Sequence, residues 1–112
     1  KLKEIRKEFE TELFIPGSKE GMNIELDKAI RLNDFITMGE LIAYDALNRN
    51  ESCGGHFREE YQTEEGEAKR DDENYFYVAC WEYQGSDDKA PVLYKEPLVY
   101  EAIKVQTRNY KS

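Results

Sequence analysis

The residues with the most chemical potential lie in one short stretch, Cys53-Gly54-Gly55-His56-Phe57-Arg58. His56 is the only histidine of the chain, and an imidazole can act as general acid or base when a neighbouring group orients it. The sequence supplies no such partner at a fixed spacing, so catalysis is the less favoured interpretation. We favour a histidine that hydrogen-bonds a helix end or a neighbouring domain.

The two cysteines, Cys53 and Cys80, are far apart and lie in different predicted elements. A structural zinc site needs four ligands, and this chain offers only these two and His56. A nucleophilic Cys53 is also disfavoured, because it follows a helix C-terminus, where the dipole opposes a thiolate. We expect free thiols in a reducing compartment, with a Cys53–Cys80 disulfide as the minor alternative.

The paired glycines Gly54 and Gly55 also have two interpretations. A phosphate-binding turn precedes a helix N-terminus, within a strand–turn–helix unit. These glycines instead follow a predicted helix. They are therefore predicted to form its C-cap, with a glycine in the left-handed conformation.

Apolar periodicity and turn residues divide the chain into five segments. The predicted segments are helix 1 at 1–14, helix 2 at 24–50, a Gly-containing corner and charged loop at 51–74, a β-hairpin at 75–105 and a polar tail at 106–112. Asn23 is the predicted N-cap of helix 2. The charged loop is expected to be solvated and mobile.

Helix 2 is apolar on more than one face, whereas helix 1 carries a single apolar stripe. A helix apolar all round is buried by several neighbours, and helix 1 can cover only one side. The missing neighbour could be an upstream helix, another domain or a second copy of the chain, unless the C-terminal strands cover the rest. Gly39, which weakens the helix, fits the close approach of another backbone.

The charge composition of the chain disfavours two classes of binding partner. Of 112 residues, Lys and Arg number 16 and Asp and Glu 24, giving a formal net charge of −8. This balance disfavours nucleic acid and anionic membranes, which need clustered positive charge. The sequence contains no apolar run of membrane-spanning length and no signal peptide, and it fits one domain. Because it starts without methionine, in mid-pattern and uncapped, we expect it to be part of a longer protein.

Two motifs carry a resemblance to a known family. The stretch ALNRNESCGGHFREE resembles the C-terminal helical domain of the flavoprotein subunit of succinate dehydrogenase and fumarate reductase, whose pattern is close to ALxRxESRGAHxRxDYP, followed by RDDxNW. The matching residues are Ala46, Leu47, Arg49, Glu51, Ser52, Gly54, His56, Arg58 and Tyr61, then Arg70, Asp71, Asp72 and Asn74. The chain departs from the pattern at Cys53 for arginine, Gly55 for alanine, Tyr75 for tryptophan, and in a longer loop from Tyr61 to Lys69.

The resemblance implies a fold that is mainly α. It would be an incomplete three-helix, spectrin-repeat-like bundle, present as a helical hairpin and followed by a C-terminal β-hairpin. The first helix of the bundle would lie upstream of Lys1. The domain would dock on the flavin domain of a parent enzyme that interconverts succinate and fumarate.

The resemblance also implies the cofactor and the partners. FAD would be held by the parent chain and not by this fragment, which is expected to be inactive alone and to self-associate. The partners would be the parent's own flavin and capping domains, an iron–sulfur subunit and a membrane cytochrome b subunit. The location would be cytoplasmic, peripheral on the inner side of a bacterial cell membrane. The cysteine and the long loop resemble a bacterial, menaquinone-linked branch.

No residue of this chain inherits a catalytic, cofactor-binding or metal-binding role from the resemblance. Ser52, His56 and Arg58 are the predicted domain-docking residues, as hydrogen-bonding groups on the surface facing the flavin domain. Asp71 and Asp72 are predicted to pair with arginines of the same parent chain. The alternatives are a stand-alone helical protein-interaction module and the equivalent domain of L-aspartate oxidase or adenylylsulfate reductase.

Overall fold

A computed structural model of the chain describes residues 1–86 and 88–106. Its elements are α1 (Leu2–Glu12), α2 (Ile24–Asn48), α3 (Asp72–Tyr75), β1 (Tyr77–Glu82) and β2 (Val92–Pro97). The chain divides into two compact units, Lys1–Leu47 and Asn48–Ser112. The predicted tail at 106–112 lies outside the described residues beyond Gln106.

The first unit is an antiparallel helical hairpin. The first half of α1 lies against the second half of α2, where Arg6 Nη2 donates to Glu40 Oε2 at 2.7 Å and to Thr37 Oγ1 at 3.2 Å. Arg6 lies off the apolar stripe of helix 1, so the sequence pattern predicts that its side chain faces solvent. Its largely covered ion pair with Glu40 instead links the two helices and helps to fix their register.

The connection between the helices is held by Asn23, and its predicted capping role is confirmed. Asn23 Oδ1 accepts hydrogen bonds from the backbone N–H groups of Glu25 at 3.1 Å and Leu26 at 3.2 Å. Its Nδ2 donates back to the carbonyl of Pro16 at 3.2 Å. Gly17 has a φ of 112°, and a Cβ there would lie 2.7 Å from Asn23 Nδ2, so this position requires glycine.

Most apolar side chains of α2 are exposed. Only Ala29 and Ile36 of this helix are buried. The exposed ones are Ile24, Leu26, Ile30, Leu32, Phe35, Met38, Leu41, Ile42 and Leu47. A Cβ on Gly39 would lie 3.9 Å from Leu2 Cδ1 and meet no backbone atom of the described residues, so the expected close backbone approach is not found. Among the described residues, no helix is both long enough and apolar enough to cross a membrane.

The second unit contains a two-stranded antiparallel sheet, in which Tyr77 pairs with Pro97 and Glu82 with Val92. On β1, Tyr77, Ala79 and Trp81 are partly covered, whereas Val78, Cys80 and Glu82 on the alternate face are exposed. Strand β1 therefore has one partly buried face and one solvent-exposed face. A helical hairpin followed by a β-hairpin agrees with the predicted fold, and the complete three-helix bundle stays a prediction.

The charged loop contains backbone pairing of its own. Its two arms exchange backbone hydrogen bonds, from Lys69 N to Tyr61 O at 3.1 Å and from Thr63 N to Glu67 O at 2.8 Å. Gly66 turns the chain between the arms with a φ of 81°. The acidic residues of this loop therefore lie on a short hairpin-like segment whose two arms are hydrogen-bonded to each other.

Candidate functional site

The Gly-containing corner is a tight turn and not a helix C-cap. Helix α2 ends at Asn48, well before the glycines. Cys53 and His56 exchange two backbone hydrogen bonds, of 2.8 and 3.1 Å, around Gly54 and Gly55. Gly54 has a φ of 58°, and only the first central residue has positive φ, which is the pattern of a type II′ turn. The predicted C-cap is therefore wrong.

Side chains cap the end of α2 instead. The carbonyl oxygen of Arg49 accepts from His56 Nε2 at 2.9 Å and from Arg58 Nη1 at 3.2 Å. Basic side chains are favoured there, because the last carbonyls of a helix have no partner within it and carry partial negative charge. His56 therefore takes the first of its favoured alternatives, a hydrogen bond to a helix end.

Arg58 spreads its guanidinium over several acceptors. Beside Arg49 O, it donates from Nη1 to Asn50 Oδ1 at 2.8 Å, and from Nε and Nη2 to Glu60 Oε1 at 3.0 and 2.7 Å. The backbone N–H of Glu60, and then the Arg58 side chain, lower the pKa of the Glu60 carboxyl below its ordinary value. The guanidinium also lies over the Tyr61 ring, 5.3 Å from its centroid.

Ser52 lies inside the unit, with 0% of its surface exposed. Its hydroxyl accepts from Arg58 N at 2.8 Å and donates to Arg58 O at 3.1 Å, which holds the two ends of the turn together. Its backbone N–H donates to Lys69 O at 2.9 Å. In the described structure, Ser52 is a buried residue that stabilises the corner through hydrogen bonds to the backbone.

The two sequence motifs meet at Glu51, which is only 3% exposed. Its Oε1 pairs with Arg49 Nε at 3.0 Å, and its Oε2 accepts from the backbone N–H of Asp71 at 2.9 Å. A buried carboxylate needs both a cation and hydrogen-bond donors, and this one has both. The contact joins the ES of the first motif directly to the RDD of the second.

Arg49 extends the same network to the hairpin. Its Nη2 donates to Tyr75 O at 2.7 Å, and its guanidinium lies 5.9 and 5.6 Å from the ring centroids of Tyr75 and Tyr77. Arg49 and Glu51 were not singled out as site residues from the sequence. Their positions in the quoted family pattern were the available signal.

The acidic pair has partners nearby in the chain. Asp71 is the N-cap of α3 and accepts from Asn74 N at 3.2 Å and Asn74 Nδ2 at 2.9 Å. Asp72 Oδ1 accepts from Arg70 Nε at 3.0 Å and Nη2 at 2.5 Å. Pairing of either carboxylate with an arginine elsewhere in a parent chain stays a prediction, as does the docking role of all five residues.

The remaining candidate groups are the two thiols and the glycine turns. Cys53 and Cys80 are free thiols. Within residues 1–86 and 88–106, no three potential metal ligands converge. The described glycine turns also do not fit a flavin diphosphate, since the turn at Gly54 follows α2 and the next helix is a single turn capped by an acidic residue.

Comparison with known proteins supports the same family as the two motifs. The model of the family described as "Fumarate reductase flavoprotein C-term" matches residues 1–110. No curated protein and no solved structure gives a significant match. The family match covers nearly the whole sequence and includes both motifs that meet at Glu51. The chain therefore belongs to the fumarate reductase flavoprotein C-terminal domain family.

Proposed function

We propose that this chain docks on the flavin domain of a fumarate reductase or succinate dehydrogenase flavoprotein subunit, as its C-terminal domain. The parent enzyme would interconvert succinate and fumarate with FAD bound outside this chain. The observation that carries the proposal is the convergence of both family motifs on the buried Glu51, in a chain that the family model matches over residues 1–110.

The apolar surface of α2 supports docking independently. Nine large apolar side chains of this helix are more than a third exposed. Exposed apolar surface on this scale is typical of a protein contact. We propose that another helix of the parent subunit completes a three-helix bundle there, and that the corner around His56 meets the flavin domain.

The wider setting follows from the family. The partners would be an iron–sulfur subunit and a membrane cytochrome b subunit, which would place the complex on the inner face of a bacterial cell membrane. Cys53 and the long charged loop favour the menaquinone-linked branch. The alternatives are a stand-alone helical interaction module, or the equivalent domain of L-aspartate oxidase or adenylylsulfate reductase.

The test compares the chain alone with the full-length flavoprotein subunit. Alone, the chain should be colourless and should not reduce fumarate with a dye donor. In the full-length subunit, Arg58→Ala should lower FAD retention or fumarate reduction, because it removes donors that shape the docking corner. Arg31→Ala, at an exposed pair on α2, is the control. A yellow or active isolated chain, or an Arg58→Ala subunit identical to wild type, would contradict the proposal.

The alternatives predict different results. A stand-alone module predicts that no coding region for a flavin domain precedes the chain in frame. The related flavoproteins predict that the full-length subunit oxidises L-aspartate or reduces adenylylsulfate instead of acting on succinate and fumarate. Assaying these substrates side by side decides among them.

A further inference from the structure

The hydrogen bond of the His56 ring requires a proton on one of its two nitrogens. The acceptor at 2.9 Å from Nε2 is the carbonyl oxygen of Arg49, which has no proton to give. Nε2 must therefore be the donor. In a neutral imidazole the other nitrogen, Nδ1, is then left with a lone pair and acts as an acceptor.

Nδ1 is an unused acceptor within the predicted docking set. In the part of the chain that the structure describes, it has no hydrogen-bond partner. The Ser52 hydroxyl both donates and accepts, the Arg58 guanidinium is shared among Glu60, Asn50 and Arg49, and Asp71 caps α3. The hydrogen bonds of those groups hold the corner together, whereas Nδ1 can still accept a hydrogen bond from a partner.

The surroundings of the ring leave room for a partner. His56 is partly exposed, and Gly54 and Gly55 beside it are exposed. A Cβ built on either glycine would meet no atom within 4 Å. The turn and the helix-end hydrogen bond hold the ring in place from two sides, so little ordering is needed when a partner arrives.

We infer that His56 Nδ1 is the acceptor through which this corner binds a hydrogen-bond donor on the flavin domain of the same subunit. The donor would be a backbone N–H or a basic side chain. This inference rests on the proposed docking function. It divides the imidazole into two roles, with Nε2 supporting the fold and Nδ1 facing the partner.

Two substitutions separate those roles. Gln in His56→Gln can reach the Nε2 position and donate to Arg49 O, but it places nothing at Nδ1. Asn in His56→Asn places an amide oxygen near Nδ1, but it cannot reach Arg49 O. The measurement is hydrogen–deuterium exchange of the peptide 50–60, in the chain alone and in the full-length subunit. The ratio of the two exchange rates reports the protection given by docking.

In the wild type the ratio should exceed one. His56→Gln should cut it roughly three- to tenfold, the loss of one hydrogen bond, while leaving exchange in the chain alone unchanged. His56→Asn should keep the ratio within about twofold, while exchange in the chain alone accelerates by a similar three- to tenfold, since a structural bond of the same kind is lost.

The outcomes separate the inference from the function beneath it. A wild-type ratio of one would mean that the corner does not dock, which removes the proposed function and this inference together. A wild-type ratio above one that both variants reduce equally, or that neither changes, would leave docking intact and overturn the assignment of Nδ1.

Discussion

Glu51 and Arg49 show how a pair of residues can organise a unit with little other core. The Glu51 carboxylate is almost fully covered, so its charge depends on Arg49 and on the backbone N–H of Asp71. Removing one partner of a buried pair leaves an uncompensated charge, which costs more than the pair itself contributes. Arg49 also contacts Tyr75 and Tyr77, so its loss would remove packing together with the charge.

Arg49→Met should therefore lower the free energy of unfolding of the second unit by about 3–5 kcal/mol. Arg31→Met, which breaks an exposed ion pair with Asp27, should cost less than about 1 kcal/mol. Urea denaturation followed by tyrosine and tryptophan fluorescence measures both. Similar small losses in the two variants would show that the buried pair does not stabilise the unit.

The Arg58–Glu60 pair predicts a titration. Hydrogen bonds from the Glu60 backbone N–H and from Arg58 favour the ionised carboxylate, so the pKa of Glu60 is lowered on folding. The contribution to stability is therefore present above the unfolded pKa and is lost as pH falls through the folded pKa. Glu60 should titrate at lower pH than an ordinary glutamate in a side-chain NMR experiment.

Arg58→Ala should move the pKa of Glu60 only part of the way back, because its largest cause, the backbone N–H, remains. Arg70→Ala, which removes the partner of Asp72, is the control and should leave Glu60 unchanged. An unchanged Glu60 titration in Arg58→Ala would show that the pair does not persist in solution.

Residue-level prediction succeeded where the cause was local. The N-cap role of Asn23 could be predicted because its partners are the backbone N–H groups two and three residues further along the chain. The partners of Arg6 and Glu51 lie 34 and 20 positions away, and only the folded chain brings them together. The sequence alone therefore could not show that the Arg6 side chain is largely buried, or that the Glu51 carboxylate accepts a hydrogen bond from the backbone N–H of Asp71.

At the scale of elements, the two long helices and the hairpin were predictable because each has its own periodicity. The backbone pairing within the charged loop was not predictable, because most residues between the paired Tyr61 and Lys69 are Glu, Gly or Ala, which are depleted in strands. The cap of α2 was wrongly predicted, because it comes from the distant side chains of His56 and Arg58 and not from the glycines.

Gly39 gives a prediction for α2. A Cβ at this position would meet only Leu2 Cδ1, at an ordinary contact distance of 3.9 Å. Gly39→Ala should therefore stabilise the chain by about 1 kcal/mol, the helix propensity difference. Gly17→Ala should destabilise it, because φ is 112° and a Cβ would crowd Asn23. Thermal unfolding of the two variants tests the contrast, and a destabilising Gly39→Ala would contradict it.

At the scale of the whole molecule, the dominant feature is apolar surface on α2 that the first unit does not bury. Phe35, for example, is 67% exposed. In water such a surface favours association, and in the absence of other partners a second copy can cover it. We expect the isolated chain to self-associate at high concentration.

Sedimentation should therefore give a mass above the 13.2 kDa of one chain. Phe35→Asp should shift the distribution towards the monomer, since it replaces apolar contact area with a charge. Asn33→Asp adds the same charge on the same helix without removing apolar surface, and should have a smaller effect. A wild-type chain that stays monomeric at high concentration would rule out association through this face.

The join between Glu51 and Asp71 has a consequence for how the sequence can change length. The chain from Glu51 to Asp71 forms a closed loop that contains the turn and the charged loop. Its two ends are held by the hydrogen bond from Asp71 N to Glu51 Oε2 and by the adjacent bond from Ser52 N to Lys69 O. A flexible insertion at the loop tip leaves these ends in place, and each doubling of loop length costs only about 0.6 kcal/mol of closure entropy. The tip around Gly66 is therefore a place where insertions, a peptide tag or a labelling sequence can be accommodated while both motifs keep their contact.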